Sequence, residues 1–157
     1  MAVHVQLSAY HDRDREAVLA LWWVSWHSIA PHIQHPATAA QWATRWDHQI
    51  TKSHEVVVAR VGDDVVGFAA ADRSQNILSQ IFVDPRWKRK GVGRQLLLWA
   101  CSTMPTGFRL QTLAENSASR HFYQVHGLTL DRYDVSAVNG YPTVWYDWKP
   151  SPGRSDG

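Results

Sequence analysis

The chain has a single cysteine, Cys101, so no disulfide can form within one copy, and a reducing, cytoplasmic setting is expected. No apolar run approaches the roughly 20 residues of a membrane-spanning helix, and the N-terminus has no signal-like apolar stretch, so no membrane role is expected. Net charge is small as well: 16 Lys and Arg against 14 Asp and Glu leave +2 over 157 residues. So slight an excess argues against a nucleic-acid surface. Neither a repeat nor a linker interrupts the sequence; residues 1–150 read as one domain and 151–157 as a frayed C-terminal tail. A chain of this length buries roughly 68–70% of its unfolded surface, which leaves room for a proper core. Against these shortages stand nine tryptophans and nine histidines.

The most informative stretch covers residues 77–100. Ile77-Leu78-Ser79-Gln80-Ile81-Phe82-Val83 is a short run rich in β-formers and reads as a buried strand. Asp84-Pro85 ends it, because proline cannot donate to a ladder and holds the residue before it extended. Past Gly91-Val92-Gly93 the apolar period turns helical, with Val92, Leu96 and Trp99 on one stripe. The first turn of a helix leaves N–H groups unpaired and carries partial positive charge. Glycines let an anion approach the backbone closely, and Arg86, Lys88, Arg89, Lys90 and Arg94 surround the turn with cations. Strand, basic glycine loop and helix together make a cradle for phosphate or pyrophosphate. A solvated basic loop is the plainer reading of two glycines alone. The Walker pattern G-x-x-x-x-G-K-[ST] is absent, and Leu96 stands where a dinucleotide fingerprint needs its third glycine.

Lys88-Arg89-Lys90-Gly91-Val92-Gly93 resembles the [Q/R]-x-x-G-x-[G/A] loop of the GNAT superfamily of N-acetyltransferases. It departs at Lys88, which keeps the charge without arginine's planar fork. About two dozen residues on, Asn116-Ser117-Ala118-Ser119-Arg120-His121-Phe122-Tyr123-Gln124-Val125-His126-Gly127-Leu128 is similar to the family's N-x-x-A-x-x-F-Y-x-x-x-G-F, with Ser119 and Leu128 substituted. The resemblance covers roughly residues 12–148. It implies one GNAT domain of the α/β class, with a mixed, mostly antiparallel central sheet flanked by helices and splayed at the acyl-CoA site.

The resemblance also implies acetyl-CoA as co-substrate and a set of residues for it. Lys88, Arg89, Lys90, Gly91, Val92, Gly93 and Arg94 would hold the pyrophosphate, largely through backbone N–H groups. Ile81, Phe82 and Val83 would run beside the pantetheine arm, one of their amides polarising the thioester carbonyl. Asn116 matches a residue that touches the cofactor arm, and a helix N-cap is an equally good role for it. Tyr123 matches the family's general acid. A phenol of pKa about 10 can protonate a thiolate whose conjugate acid lies near ~8.5 once the site is dry. Its plainer reading is a core tyrosine beside Phe122.

Elsewhere, residues 3–7 read as a first strand. Residues 12–29 read as a helix with Val18, Trp22, Trp26 and Ile29 on one stripe, and 38–52 as a second helix. Pro31 and Pro36 bracket a loop holding His32 and His35. A hairpin joins 54–61 to 65–72, a strand covers 108–113, a helix covers 117–126, and Asn139-Gly140 turns a final hairpin. By resemblance the first two helices cover the acceptor site, so Trp26, His27 and His32 are candidate acceptor contacts; tryptophans at helical spacing are as often core. Asp47 is the only acid between Ser25 and Ser53, which disfavours a polycationic acceptor. His32-x-x-His35 has no accompanying ligand motif, and no metal is expected.

The resulting expectation is an N-acetyltransferase in which a primary amine of a small molecule or peptide attacks the thioester directly. Its general base is open among Glu115, Glu55, His54, Asp72 and ordered water. A non-catalytic acyl-CoA-binding sensor or interaction module is the alternative, against which the intact Tyr123 argues. A single-strand nucleic-acid binder is a third, but the basic loop and the tryptophans lie in different segments. Homodimer formation is left open.

Overall fold

In the computed structural model, residues 4–29, 31–33, 37–137 and 139–151 are described. The first strand, β1 (Gln6–Ala9), lies slightly beyond the expected 3–7, of which Val3 is outside the described residues. A 3-10 turn (Asp12–Asp14) leads into α1 (Arg15–Ile29). Asp14 holds this start: its carboxylate accepts from the His11 N–H at 3.0 Å and pairs with Arg60 at 2.6 Å. With Asp14 only 3% exposed, that pairing is what makes a buried charge tolerable there.

The next helix, α2 (Ala39–Arg45), opens on a capping box. The Thr38 hydroxyl accepts from the Gln41 N–H at 3.2 Å, and the Gln41 side chain accepts from the Thr38 N–H at 2.8 Å. The helix expected over 38–52 is interrupted by a π turn, Trp46–Ile50, before the short α3 (Thr51–Ser53). Trp42, Trp46 and Ile50 are all buried, and their repeat of four outruns the 3.6-residue period of an α-helix. A wider turn, with Thr51 N–H bonded to Trp46 C=O, keeps all three facing the core.

The remaining strands are β2 (Glu55–Val61), β3 (Asp64–Asp72), β4 (Ile77–Val83), β5 (Phe108–Leu113), β6 (Thr129–Val135) and β7 (Pro142–Trp148). They form one mixed sheet in the order β1-β2-β3-β4-β5-β7-β6, antiparallel throughout except for β4 beside β5. α4 (Val92–Thr103) makes the crossover between these two parallel strands, and α5 (Ser117–Val125) follows β5. One face buries Leu96, Leu97, Leu110 and Tyr146 beneath α4 and α5. The other buries Val18, Trp22, Trp42, Trp46 and Phe68 beneath α1 and α2. Among the described residues no helix is long and apolar enough to cross a membrane. Of the expected tail, residues 152–157 lie outside the described residues.

Two local features shape the centre of the sheet. Between β3 and β4 the register steps from Ala70↔Gln80 to Ala71↔Leu78, so Ser79 is the extra residue of a bulge. The bulge reverses side-chain alternation: Leu78 and Ile81, an odd number apart, join the same core cluster. The second feature is a parting. β4 and β5 share one register pair, Ile77↔Arg109, and beyond it they separate.

Candidate active site

The parting of β4 and β5 opens a cavity of about 340 Å³. Its floor and sides come from Ser79, Gln80, Ile81 and Phe82 of β4, Leu110 to Leu113 of β5, and Asn116 and Tyr123 at α5; Trp22, Trp26, Trp42 and Arg45 close it from α1 and α2. Among these lining residues there is no Asp, Glu, Lys or His, so Arg45 supplies the one fixed charge. Among the described residues no three His, Cys, Asp or Glu side chains gather as metal ligands, and His35 lies outside them.

Just past the cavity, β4 ends at Val83, and from Asp84 the chain turns towards α4. Asp84 caps the intervening 3-10 turn (Pro85–Trp87), accepting from the Arg86 N–H at 2.9 Å and pairing with the Arg86 guanidinium at 2.8 Å. That hydrogen-bonded ion pair holds the Asp84 carboxyl below its usual range and takes Arg86 out of the set of free cations. Lys88, Arg89, Lys90 and Arg94 are exposed and have no ion-pair partner among the described residues. Gly91 is the N-cap of α4 at φ +85, a left-handed conformation that favours glycine. The first backbone bond of α4 runs from the Gln95 N–H to the Gly91 C=O at 3.1 Å, so the amides of Val92, Gly93 and Arg94 have no intrahelical acceptor. Gly93 matters for what surrounds it rather than for its backbone conformation. A Cβ there would meet the Phe122 ring at 3.3 Å, so its smallness lets α4 close on α5. The Val92 side chain is buried in the core.

Tyr123 is 6% exposed, with its ring between Phe122 (5.6 Å) and Tyr146 (5.8 Å). Burial, with Tyr146 beside it, pushes the phenol well above its usual pKa, so it stays protonated as a donor. Its hydroxyl makes no hydrogen bond to any described residue, and the side chain lines the cavity. Asn116 performs the capping role, accepting from the Ser119 N–H at 3.2 Å, and its side chain also faces the cavity.

The four candidate bases fall in different places. Glu115 pairs with His32 at 3.0 Å and Glu55 with Arg73 at 3.4 Å, both at the surface. Asp72 accepts from the Ser74 N–H and hydroxyl in the turn after β3. His54 alone of the four is bonded to a cavity residue, its Nε2 lying 2.9 Å from the Ser79 hydroxyl. The tautomer follows from the neighbours. The Ser53 hydroxyl donates to the Gln49 C=O at 2.8 Å, so it must accept from His54 Nδ1, also at 2.8 Å. Nε2 is then the unprotonated nitrogen, and it accepts from Ser79. Burial pushes His54 below the usual imidazole pKa; Asp72 pulls the other way and Arg45 adds to the lowering.

Of the candidate acceptor contacts, Trp26 lines the cavity. His27 does not line the cavity but packs against Trp26 and Trp42, which do. Its ring is stacked on Trp42 at 5.9 Å and tilted against Trp23 at 4.3 Å, and its Nδ1 bonds the Trp23 C=O at 2.7 Å. His32 is at the surface on Glu115. On α1, Ser25 takes the core position beside Trp22, and its hydroxyl donates to the Val83 C=O at 3.2 Å. Sequence reasoning missed Ser79, Gln80 and Arg45. Only the bulge re-aims Ser79, and nothing in its flanking residues announces a bulge.

An open mixed sheet parted between two parallel strands, with a bare helix N-terminus at the end of the gap, is the acyltransferase architecture implied by the two sequence segments. Solved proteins share it. The PaiA N-acetyltransferase of Thermoplasma acidophilum, determined in complex with coenzyme A, superposes with a TM-score of 0.75 at 18% identity, covering 94% of this chain and 99% of that one. A GNAT-family acetyltransferase of Bacillus cereus gives 0.73 at 16% identity, covering 93% and 97%. In sequence, the acetyltransferase (GNAT) domain family matches residues 52–128. The Escherichia coli protein YafP, an uncharacterized N-acetyltransferase, is 29% identical over 98 residues; the match spans 60% of this chain and 63% of that relative. Residues 52–128 of the chain thus match the acetyltransferase (GNAT) domain family, and the chain shares the fold of the solved acetyltransferases. The family match contains His54, Ser79, the α4 cradle and Tyr123, whereas Trp22, Trp26, Trp42 and Arg45 precede it.

Proposed function

We propose that the protein transfers the acetyl group of acetyl-CoA to a primary amine of a small molecule or peptide. The observation that carries this is the parted β4–β5 pair ending on the unpaired amides of Val92, Gly93 and Arg94. Backbone freed from its ladder lies beside a cavity at one end and an anion cradle at the other, which suits a molecule with a thioester, an amide-rich arm and a pyrophosphate. The coenzyme A bound by the Thermoplasma relative supports the same cofactor class here.

In this proposal the cradle and the cations of 88–94 hold the pyrophosphate, and Ile81, Phe82 and Val83 flank the arm. The neutral amine attacks the thioester carbonyl; a C–N bond forms and the C–S bond breaks. Tyr123 gives its proton to the departing thiolate. The same dry surroundings that raise the phenol raise the thiol of the leaving group too, which keeps the transfer between them feasible. The amine proton leaves through the Ser79 hydroxyl to His54 Nε2, directly or across one water. An imidazole held neutral and already accepting from the cavity wall is a base ready at neutral pH.

A thiol-release assay with acetyl-CoA against a panel of amines tests the proposal. Amine-dependent release with matching acetylated product is the expected result. Tight acetyl-CoA binding with no release for any amine would instead favour an acyl-CoA-binding module.

A further inference from the structure

We propose that the acceptor carries a carboxylate beside an apolar or aromatic body, and that Arg45 is the residue that selects it. This rests on the acetyltransfer reading above and names its substrate class. Arg45 ends α2 and lines the cavity, with its guanidinium 5.8 Å from the Trp22 ring centre. It has no carboxylate or hydrogen-bond partner among the described residues. The nearest acid in its own segment, Asp47, is taken: it binds Arg15 through two bonds of 2.8 and 2.9 Å. The other lining side chains are neutral, so the cavity presents one positive charge with nothing to balance it.

Arg45 is exposed enough to be reached from solvent, and with no anion beside it the guanidinium is available to pair with one that a ligand brings into the cavity. Burial lowers Arg45 from the usual arginine value, in keeping with that unbalanced setting. The remaining wall explains the body of the ligand. Trp22 and Trp42 lie 4.5 Å apart and Trp26 is 6.1 Å from Trp42, forming an aromatic corner next to the guanidinium. A planar fork beside flat rings matches a carboxylate attached to an apolar group, since two parallel N–H donors fit two carboxylate oxygens. A purely cationic acceptor would meet a like charge and no counterion. An amino acid, or a peptide presenting both its amine and its carboxylate, meets both requirements.

The test compares L-phenylalanine with phenylalaninamide, phenethylamine and the aminophosphonate analogue of phenylalanine, using wild type, Arg45→Gln and Arg45→Lys. The readout is the ratio of kcat/KM for the acid to that for the amide. For wild type this ratio should be about 10 to 100, the worth of one charged hydrogen-bonded contact. It should fall towards unity in Arg45→Gln, with the loss in KM, and be partly retained in Arg45→Lys, which keeps charge without the fork. Phosphonate discrimination that equals or exceeds that of the carboxylate would overturn the assignment of the anion. Tryptophan fluorescence titration of the same compounds needs no turnover. A carboxylate-dependent affinity lost in Arg45→Gln supports the inference even if no amine is acetylated and the transfer reading fails. An unchanged acid-to-amide ratio in both measurements overturns the inference alone.

Discussion

Replacing Tyr123 by phenylalanine separates chemistry from packing more cleanly than any other single change. The ring stays between Phe122 and Tyr146, and only an oxygen is removed. Because that hydroxyl has no hydrogen-bond partner among the described residues, its loss orphans nothing. The usual cost of breaking a buried hydrogen bond, about 1–3 kcal/mol, therefore does not apply, and stability should move by no more than roughly 0.5 kcal/mol. Turnover should respond very differently. A positioned general acid contributes about 10²- to 10⁴-fold, equivalent to roughly 2.7–5.4 kcal/mol of barrier. Acetyl-CoA affinity should change far less, since in the proposed mode backbone amides at α4 supply most of its contacts. The assay is thiol release at saturating acetyl-CoA, with urea denaturation and calorimetric binding on the same preparation. Turnover at the wild-type level with unchanged affinity would refute the acid assignment. A stability loss of 2 kcal/mol or more (roughly four times the expected ceiling) would refute the account of its environment.

His54→Gln should abolish the acidic limb of the kcat/KM profile, which for wild type should lie below pH ~6.5 because burial lowers the imidazole. The sign for stability is the same: between the lowered folded value and about 6.5 the unfolded chain binds more protons, so wild-type stability falls as pH drops through that window. Denaturant midpoints from pH 5 to 8 should therefore fall less steeply on the acid side for the variant, and parallel curves would contradict the buried, neutral imidazole. Gly67→Ala would put a Cβ 2.9 Å from the Phe82 C=O and 3.0 Å from Val92, forcing β3, β4 and α4 apart. Overpacking of this kind costs about 1–3 kcal/mol, readable as a lower melting temperature; an unshifted transition would mean that the contact yields freely. Acetyl-CoA at about 100 times its Kd should stabilise the folded protein by roughly 2.7 kcal/mol, and a thermal scan in which it has no effect would count against the cradle.

The segment from Ile77 to Arg94 was legible from sequence because its logic is local. A β-forming run, a proline, glycines and a helical period follow one another within a few turns of chain, and each acts on its neighbours through backbone sterics. Even there, the division of labour between Gly91 and Gly93 was not, because a positive φ and a ring 3.3 Å away are properties of the packed helix. Tyr123 and Asn116 were singled out by resemblance to a family segment. Of their two readings the structure shows Asn116 as the N-cap of α5 and Tyr123 buried beside Phe122, and the catalytic part of Tyr123 belongs to the proposal. The parting of β4 from β5, the bulge at Ser79 and the cavity between them needed the whole sheet, since register is a relation between strands. Ser79 meets a histidine 25 residues earlier, and Arg45 faces β4 from a helix more than thirty residues before Ser79. Periodicity says which side of a helix is apolar, but not that a π turn carries Trp46 and Ile50 inward or that Trp26 turns to the cavity while Ser25 takes the core. Sequence by itself determined the strand, glycine turn and helix start of the proposed cradle through short-range backbone rules; tertiary packing decided the cavity beside it, where side chains distant in the chain converge on one unbalanced charge.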